Sequence, residues 1–204
     1  TEIVFLARLY DATGEKRYAE GALHGLEYLL ESQYDNGGWP QFYPRNYGYY
    51  THITYNDNAM ENVLKVLYDV SRGKKRYKFV PDDMRRRASE AVKKGVDCIL
   101  NTQVVQGGVP TVWCAQHDEH TLLPAPARAY ELESLSGAES AGVVLFLMSM
   151  KERPSEAVVK AVDNAVEWFR KSMITDLKRE NFTDGEGRRD YRMVKSIGKD
   201  AACD

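Results

Sequence analysis

The chain repeats itself. Residues 25–40 read GLEYLLESQYDNGGWP and residues 95–110 read GVDCILNTQVVQGGVP. At an offset of 70 the leading glycines, Leu30 and Leu100, Gln33 and Gln103, both Gly-Gly pairs, and Pro40 and Pro110 coincide. A fainter third copy follows at the same offset. Ala91-Val92 and Val96-Asp97-Cys98-Ile99 align with Ala161-Val162 and Val166-Glu167-Trp168-Phe169, and the GG-x-P ending is lost. Each copy spaces apolar residues as one face of a helix requires: Leu23, Leu26, Leu29 and Leu30; Val92, Val96, Ile99 and Leu100; Val158, Val162, Val166 and Phe169. A second helix is predicted ahead of each copy, over roughly Glu2–Ala12, Asn58–Ser71 and Ser136–Met150. The first two end alike, in LYDATGEKRY and LYDVSRGKKRY. The unit is therefore a helix pair used about three times. Pairs that each bury one face must pack on their neighbours. Closed toward a ring, they give an all-α, α/α toroid-like fold, incomplete at three pairs. In each copy the Gly-Gly reads as a left-handed C-cap and the Pro as a stop. TVWCAQ and HITY are at most short extended pieces.

In an α/α toroid the loops at one end of the helices surround the cleft. Two of the loops here, Asn36–Asn56 and Gly107–Leu135, exceed the usual connector length, which in compact domains points to function. The first runs into Asn56-Asp57-Asn58, where a helix N-cap belongs. Asp57 is either that cap or a carboxylate at the cleft mouth open to a divalent cation. Its oxygen-rich neighbours suit Ca²⁺ better than zinc. His52 and His117 have no helical companion of the zinc type. The second loop carries Gln116, His117, Asp118, Glu119 and His120 in a row, then Pro-Ala-Pro, then Arg128. Asp118 and Glu119 are a solvated pair on the plainest reading. Arg128 either pairs with Glu131 or Glu133 or projects into the cleft. Ser136 and Glu139 have capping-box spacing. Trp39, Phe42, Tyr43, Tyr47, Tyr49, Tyr50 and Trp113 share these loops with Asn and Gln, as the walls of a carbohydrate cleft do; the alternative is that they pack the loops onto the helix ends.

Composition narrows the field. A net charge of −2 leaves no footprint of nucleic-acid binding, and 43% hydrophobic with 28% charged residues is ordinary for a globular domain. No run reaches the ~20 apolar residues of a membrane helix. Cys98, Cys114 and Cys203 lack metal-type spacing, their odd number argues against a disulfide framework, and Cys98 sits at an apolar helical position. No phosphate-cradling or serine-hydrolase motif occurs. Gln33, Gly37 and Trp39 form a Q-x-x-x-G-x-W string that resembles the QW motif of triterpene cyclases. Their D-x-D-D-type acid is missing, and Asp82-Asp83 is a poor substitute. A shared structural job, a Gln and a Trp tying off a helix end, explains the string better.

NGGWPQFYP (36–44), HITYNDNAM (52–60), TVWCAQHDE (111–119) and ARAYELESLSGAES (127–140) together resemble the family-10 polysaccharide lyases, the pectate lyases, in order and across nearly the whole chain. The resemblance implies Ca²⁺-assisted β-elimination of polygalacturonate with an arginine base. On this chain that makes Arg128 the base and Asp57 the Ca²⁺ ligand. Trp39, Tyr43, His52, Asn56, Gln116, His117 and Asp118 become substrate-binding residues. It also implies a secreted or periplasmic monomer with pectin as its partner. Family members carry an upstream D-N-G-A-T-like segment with another functional Asp and a downstream W-A-R-F-Y segment with further arginines. Residues 1–204 fall between the two, so a single catalytic domain truncated at both ends, weakly active or inactive in isolation, is expected. The alternatives are an α/α-toroid glycoside hydrolase and a non-catalytic carbohydrate-binding helical repeat.

Overall fold

The structure, a computed structural model, describes residues 2–45 and 47–196; Cys203 lies outside them. Among the described residues six α-helices follow in the expected order: α1 (Glu2–Thr13) and α2 (Lys16–Glu31), α3 (Ala59–Ser71) and α4 (Asp82–Thr102), α5 (Gly137–Ser149) and α6 (Glu156–Ser172); the first two couples pack closely as pairs, while α5 and α6 barely touch. The chain divides into two compact units at Val166/Glu167, within α6. In the first unit α1 packs on α2 and α3 on α4, while α3 meets α5 and α2 meets α4, the neighbour-on-neighbour contact of an α/α toroid-like array. Among the described residues no helix is long and apolar enough to cross a membrane.

The repeated glycines explain how closely each pair packs. A Cβ on Gly25 would lie 2.7 Å from the Ile3 side chain, and one on Gly95 would lie 2.5 Å from the Leu64 side chain. Gly25 and Gly95 are equivalent positions, and each accepts a side chain of the preceding helix. The third copy has Ala165 there, wholly buried. The apolar stripes close over a core that includes Leu26, Leu64, Leu67, Ile99, Val143 and Phe146, each worth roughly 1.5–3 kcal/mol of burial.

The repeated Gln does the same work twice. Gln33 Nε2 donates to the Gly37 carbonyl and to Ala91 on α4, both at 2.9 Å; Gln103 Nε2 donates to the Thr111 carbonyl and to Ala161 on α6, both at 2.9 Å. One side chain thus ties its own loop to the next pair's helix. The Gly-Gly pairs, however, are not C-caps. Helix α2 ends on Ser32 in a right-handed conformation, and α4 ends on Gln103 in an extended one. Gly37 (φ 92°) sits in a turn closed by Tyr34 and Gly38. Gly107 and Gly108 (φ 57° and 82°) form the two-residue turn between β2 (Val105–Gln106) and β3 (Val109–Pro110), the left-handed pair that tight hairpins need.

Extended structure is otherwise sparse in the first unit. β1 (Ile53–Thr54) pairs antiparallel with β4 (Gln116–His117), so HITY and TVWCAQ each hold the short piece expected. The second unit contains a hairpin that the periodicity did not indicate, β5 (Leu177–Thr183) with β6 (Arg189–Lys195), in register from Leu177 opposite Lys195 to Thr183 opposite Arg189.

Candidate active site

The loops after α2 and α4 lead into α3 and α5, and they are stitched together. Bridges link Pro40 to Ile53, Ile53 to His117 and His117 to Pro124. Asn36 Nδ2 donates to the Glu119 carbonyl at 2.7 Å, and the Tyr34 hydroxyl to the Thr51 carbonyl at 2.8 Å. Beneath them Tyr55 is wholly buried, its hydroxyl 2.7 Å from Thr102 Oγ1. The backbone N–H groups of Tyr55 and Asn56 both donate to the Ala115 carbonyl, at 2.9 and 3.1 Å. The backbone entering Asp57 is therefore held from two sides.

That grip supports an unusual geometry. Asp57 (φ 55°) and Asn58 (φ 55°) are both left-handed, a conformation that costs a residue with a Cβ roughly 1–2 kcal/mol. Strain of this kind persists only where surrounding structure imposes it, and it gathers at functional sites. Asn58 is the N-cap of α3 but makes no side-chain cap bond. Asp57 is not a cap either: its Oδ2 accepts from Asn56 Nδ2 at 2.9 Å, and the residue is exposed on the rim. One carboxylate between two amides is a set of hard oxygen donors, which suits Ca²⁺.

Arg128 is exposed and engaged with Glu131, the first of its two foreseen partners. Its Nε donates to Glu131 Oε2 at 2.8 Å, its backbone N–H to the same oxygen at 3.0 Å, and its Nη2 to Oε1. The guanidinium faces the Tyr130 ring at 5.3 Å. Glu131 raises the Arg128 pKa, and the Arg128 hydrogen bonds pull Glu131 down to about 2. Tyr49 feels both groups: its pKa is raised mainly by its hydroxyl's interaction with Tyr50, with Arg128 lowering it and Glu131 raising it.

Four of the expected substrate contacts have structural employment. Trp39 is 3% exposed, its indole N–H donating to the Leu29 carbonyl at 2.8 Å. Trp113, wholly buried, donates to the Ile99 carbonyl at 2.7 Å. Leu29 and Ile99 are repeat equivalents, so the Trp does recur, displaced by the β2–β3 hairpin. This removes Trp39 from the rim and confirms the Gln-Trp pair as a tie on the helix end. Gln116 is buried in β4. His117 is wholly buried: the Cys114 N–H donates to its Nε2 at 3.1 Å, so Nδ1 carries the proton and faces the Leu122 carbonyl at 3.0 Å. Burial lowers its pKa to about 4. Asp118 shapes its own turn, Oδ1 accepting from the N–H groups of His120 and Thr121 and from Thr121 Oγ1 at 3.0, 2.7 and 2.8 Å. Gln116 and His117 are consecutive in β4 and so point to opposite faces of the pair, and both faces are covered.

His52 and Asn56 are half-buried and reach the rim, and Tyr43 is 39% exposed with its carbonyl accepting from the Tyr28 hydroxyl at 2.8 Å. His52 Nδ1 lies 3.0 Å from Glu119 Oε2, so Glu119 is not the solvated partner of Asp118. Burial pushes the Glu119 pKa up, but hydrogen bonds from Thr51 and His52 outweigh it and hold it low. His52, Asp118 and Glu119 bring one potential metal-ligand atom each within 4.8 Å of one another. Only the pairing of β1 with β4 assembles that trio, so no sequence spacing announces it. Sequence reasoning also passed over Glu61, which is wholly buried on α3. Its signal was readable: Glu61, Leu64 and Tyr68 fall at i, i+3 and i+7, on the core face.

Helix pairs thus carry loops that present tyrosines, amides, an exposed carboxylate and an arginine. The family profile for pectic acid lyases matches residues 1–201, and the chain belongs to that family. It is similar to the family 10 polysaccharide lyase of Cellvibrio cellulosa, at 38% identity and a TM-score of 0.84 over 97% of this chain and 60% of that one. It is equally similar, at 38% identity and a TM-score of 0.84, to an aspartate-to-alanine mutant of a family 10 lyase from the same organism in complex with trigalacturonic acid, covering 97% of this chain and 61% of that one. The chain thus spans about three fifths of the length of those lyases. Comparison with curated protein sequences gives no significant match.

Proposed function

We propose that the protein acts on polygalacturonate as a pectate lyase, outside the cell where pectin lies, by β-elimination. The observation that carries this reading is the likeness to a family 10 lyase over 97% of the chain. The C5 proton of a galacturonate lies α to a carboxylate and is poorly acidic. Calcium, when bound, supplies positive charge that offsets the carboxylate and the developing enolate. Asp57, with Asn56 and Asn58 beside it, would hold it, and substrate and water would complete the six to eight oxygens Ca²⁺ takes. Arg128 takes the C5 proton, the C4–O bond breaks, and the leaving oxygen is protonated by solvent. No second carboxylic acid is needed, unlike glycoside hydrolysis.

Glu131 keeps Arg128 protonated in this structure, so basic function demands that the pair be opened. A substrate carboxylate competes for the same guanidinium face, and alkaline pH favours the deprotonated arginine. The test is incubation with polygalacturonate at alkaline pH, with Ca²⁺ or with chelator, following absorbance of the C4–C5 double bond. Calcium-dependent absorbance, lost in Arg128→Ala and in Asp57→Asn, is expected. Reducing ends without absorbance would mean hydrolysis, and calcium-dependent binding without cleavage would mean a binding module. Full activity in Arg128→Ala would remove Arg128 as base.

A further inference from the structure

Arg45 is the only Lys, Arg, Asp or Glu between Asn36 and Asn56, and aromatic rings surround it. Its guanidinium carbon lies 5.6 Å from the Phe42 ring centre, 5.9 Å from Tyr47 and 5.4 Å from Tyr50. Nη1 donates to the Tyr47 hydroxyl at 3.1 Å. Among the described residues no carboxylate pairs with it, whereas Arg72, Arg87 and Arg128 each have one. The rings are partly in water, Phe42 at 48% and Tyr47 at 59% exposure. They also form a path. Phe42 meets Tyr50 at 5.2 Å, Tyr47 meets Tyr50 at 5.6 Å and Tyr50 meets Tyr49 at 4.5 Å, and Tyr49 feels the Arg128 charge. The patch therefore runs from Phe42 and Tyr47 through Tyr50 to Tyr49.

We propose that Arg45 and the rings of Phe42, Tyr47 and Tyr50 form a subsite that reads the carboxylate of a uronate unit remote from Arg128. The inference rests on the polyuronate reading above and adds a residue that reading does not use. Aromatic faces attract a guanidinium and limit its movement. Nη1 is engaged with Tyr47, which leaves Nε and Nη2 for the planar, two-bond match that a guanidinium makes to a carboxylate. The exposed rings offer flat apolar faces to the C–H face of a pyranose. A neutral sugar gains only the rings; a uronate gains the fork as well. A second cation, set among aromatic rings, suits a polymer that repeats a carboxylate on every sugar.

The test is calorimetric titration of the full chain with tetragalacturonate and with its methyl ester, in chelator, so that binding is read without calcium or cleavage. The wild type is expected to prefer the acid. Arg45→Gln should lose roughly fivefold to tenfold of its affinity for the acid and none for the ester. Arg45→Lys should recover part of the loss, since it restores charge without the fork. Arg45→Gln binding the acid as tightly as wild type overturns the subsite. Wild-type protein that binds neither ligand yet cleaves polygalacturonate overturns the subsite and leaves the lyase standing. Arg45-dependent acid binding with no cleavage does the reverse.

Discussion

Replacing Glu61 by Gln should stabilise the protein in alkali and do so progressively with pH. Glu61 is wholly buried on α3, and neither carboxylate oxygen has a hydrogen-bond partner among the described residues. Helix α5 presses on it at Gly142, where a Cβ would lie 3.3 Å from Glu61 Oε1. Burial raises its pKa from 4.5 to about 7; its own backbone N–H and Lys65 pull it back slightly, and the charge of Glu139 pushes it up. That N–H softens the charge without reaching hydrogen-bond geometry. Below pH 4.5 the carboxyl is neutral folded and unfolded, and it has no effect. Between 4.5 and about 7 the unfolded chain releases the proton while the folded chain keeps it, so stability falls as pH rises. Above that range the loss stays constant, at about 3 kcal/mol. Glutamine never ionises, so the gap between variant and wild type should open by that amount between acid and alkali. For a domain of this size it corresponds to roughly 6–12 °C in Tm. Thermal melts by circular dichroism at a series of pH values read it directly, and parallel curves for the two proteins would refute the reasoning.

The opposite slope belongs to His117. Its folded pKa of about 4 lies below the ordinary 6.5, so the stability it confers is present above 6.5 and is lost as pH falls toward 4, by about 3 kcal/mol; His117→Gln should flatten that acid limb of the same melts. Gly37→Ala should be far more damaging than Gly107→Ala. The first Cβ would fall 2.0 Å from the Lys94 carbonyl oxygen, at φ 92°, while the second meets nothing within 4 Å. Urea midpoints should show a loss of about 1 kcal/mol for Gly107→Ala, the cost of a left-handed alanine, and several times that for Gly37→Ala; equal losses would contradict the packing described.

The helix pairs were legible because burial on one face writes a period of 3.6 into the sequence, and the 70-residue offset wrote it three times. Gln33 and Gln103 were legible as architecture because they recur. The recurrence of Trp39 was not legible for the complementary reason: its counterpart, Trp113, lies four residues beyond the position the 70-residue offset indicates. The Gly-Gly pairs were assigned to the wrong element because positive φ suits a hairpin turn as well as a helix end. The partners of His52 were not legible at all, since Glu119 reaches it across 67 residues through two-residue strands too short to leave a pattern. Gln116 and His117 stand in a polar run that offers no sign of burial, yet both sides of β4 are covered once it pairs with β1. Asp57 was marked by its oxygen-rich neighbours, but its left-handed backbone depends on the Ala115 carbonyl, which no local rule supplies.

The Gln–Trp tie has one more implication. Six positions separate Gln33 from Trp39, ten separate Gln103 from Trp113, and both pairs make the same bonds. The anchor points are fixed while the span between them is free to vary, and closing a longer span costs little. Descendants of such a chain can lengthen a finger between the two anchors, or engineers can graft one at Gly107-Gly108, without renegotiating the frame underneath.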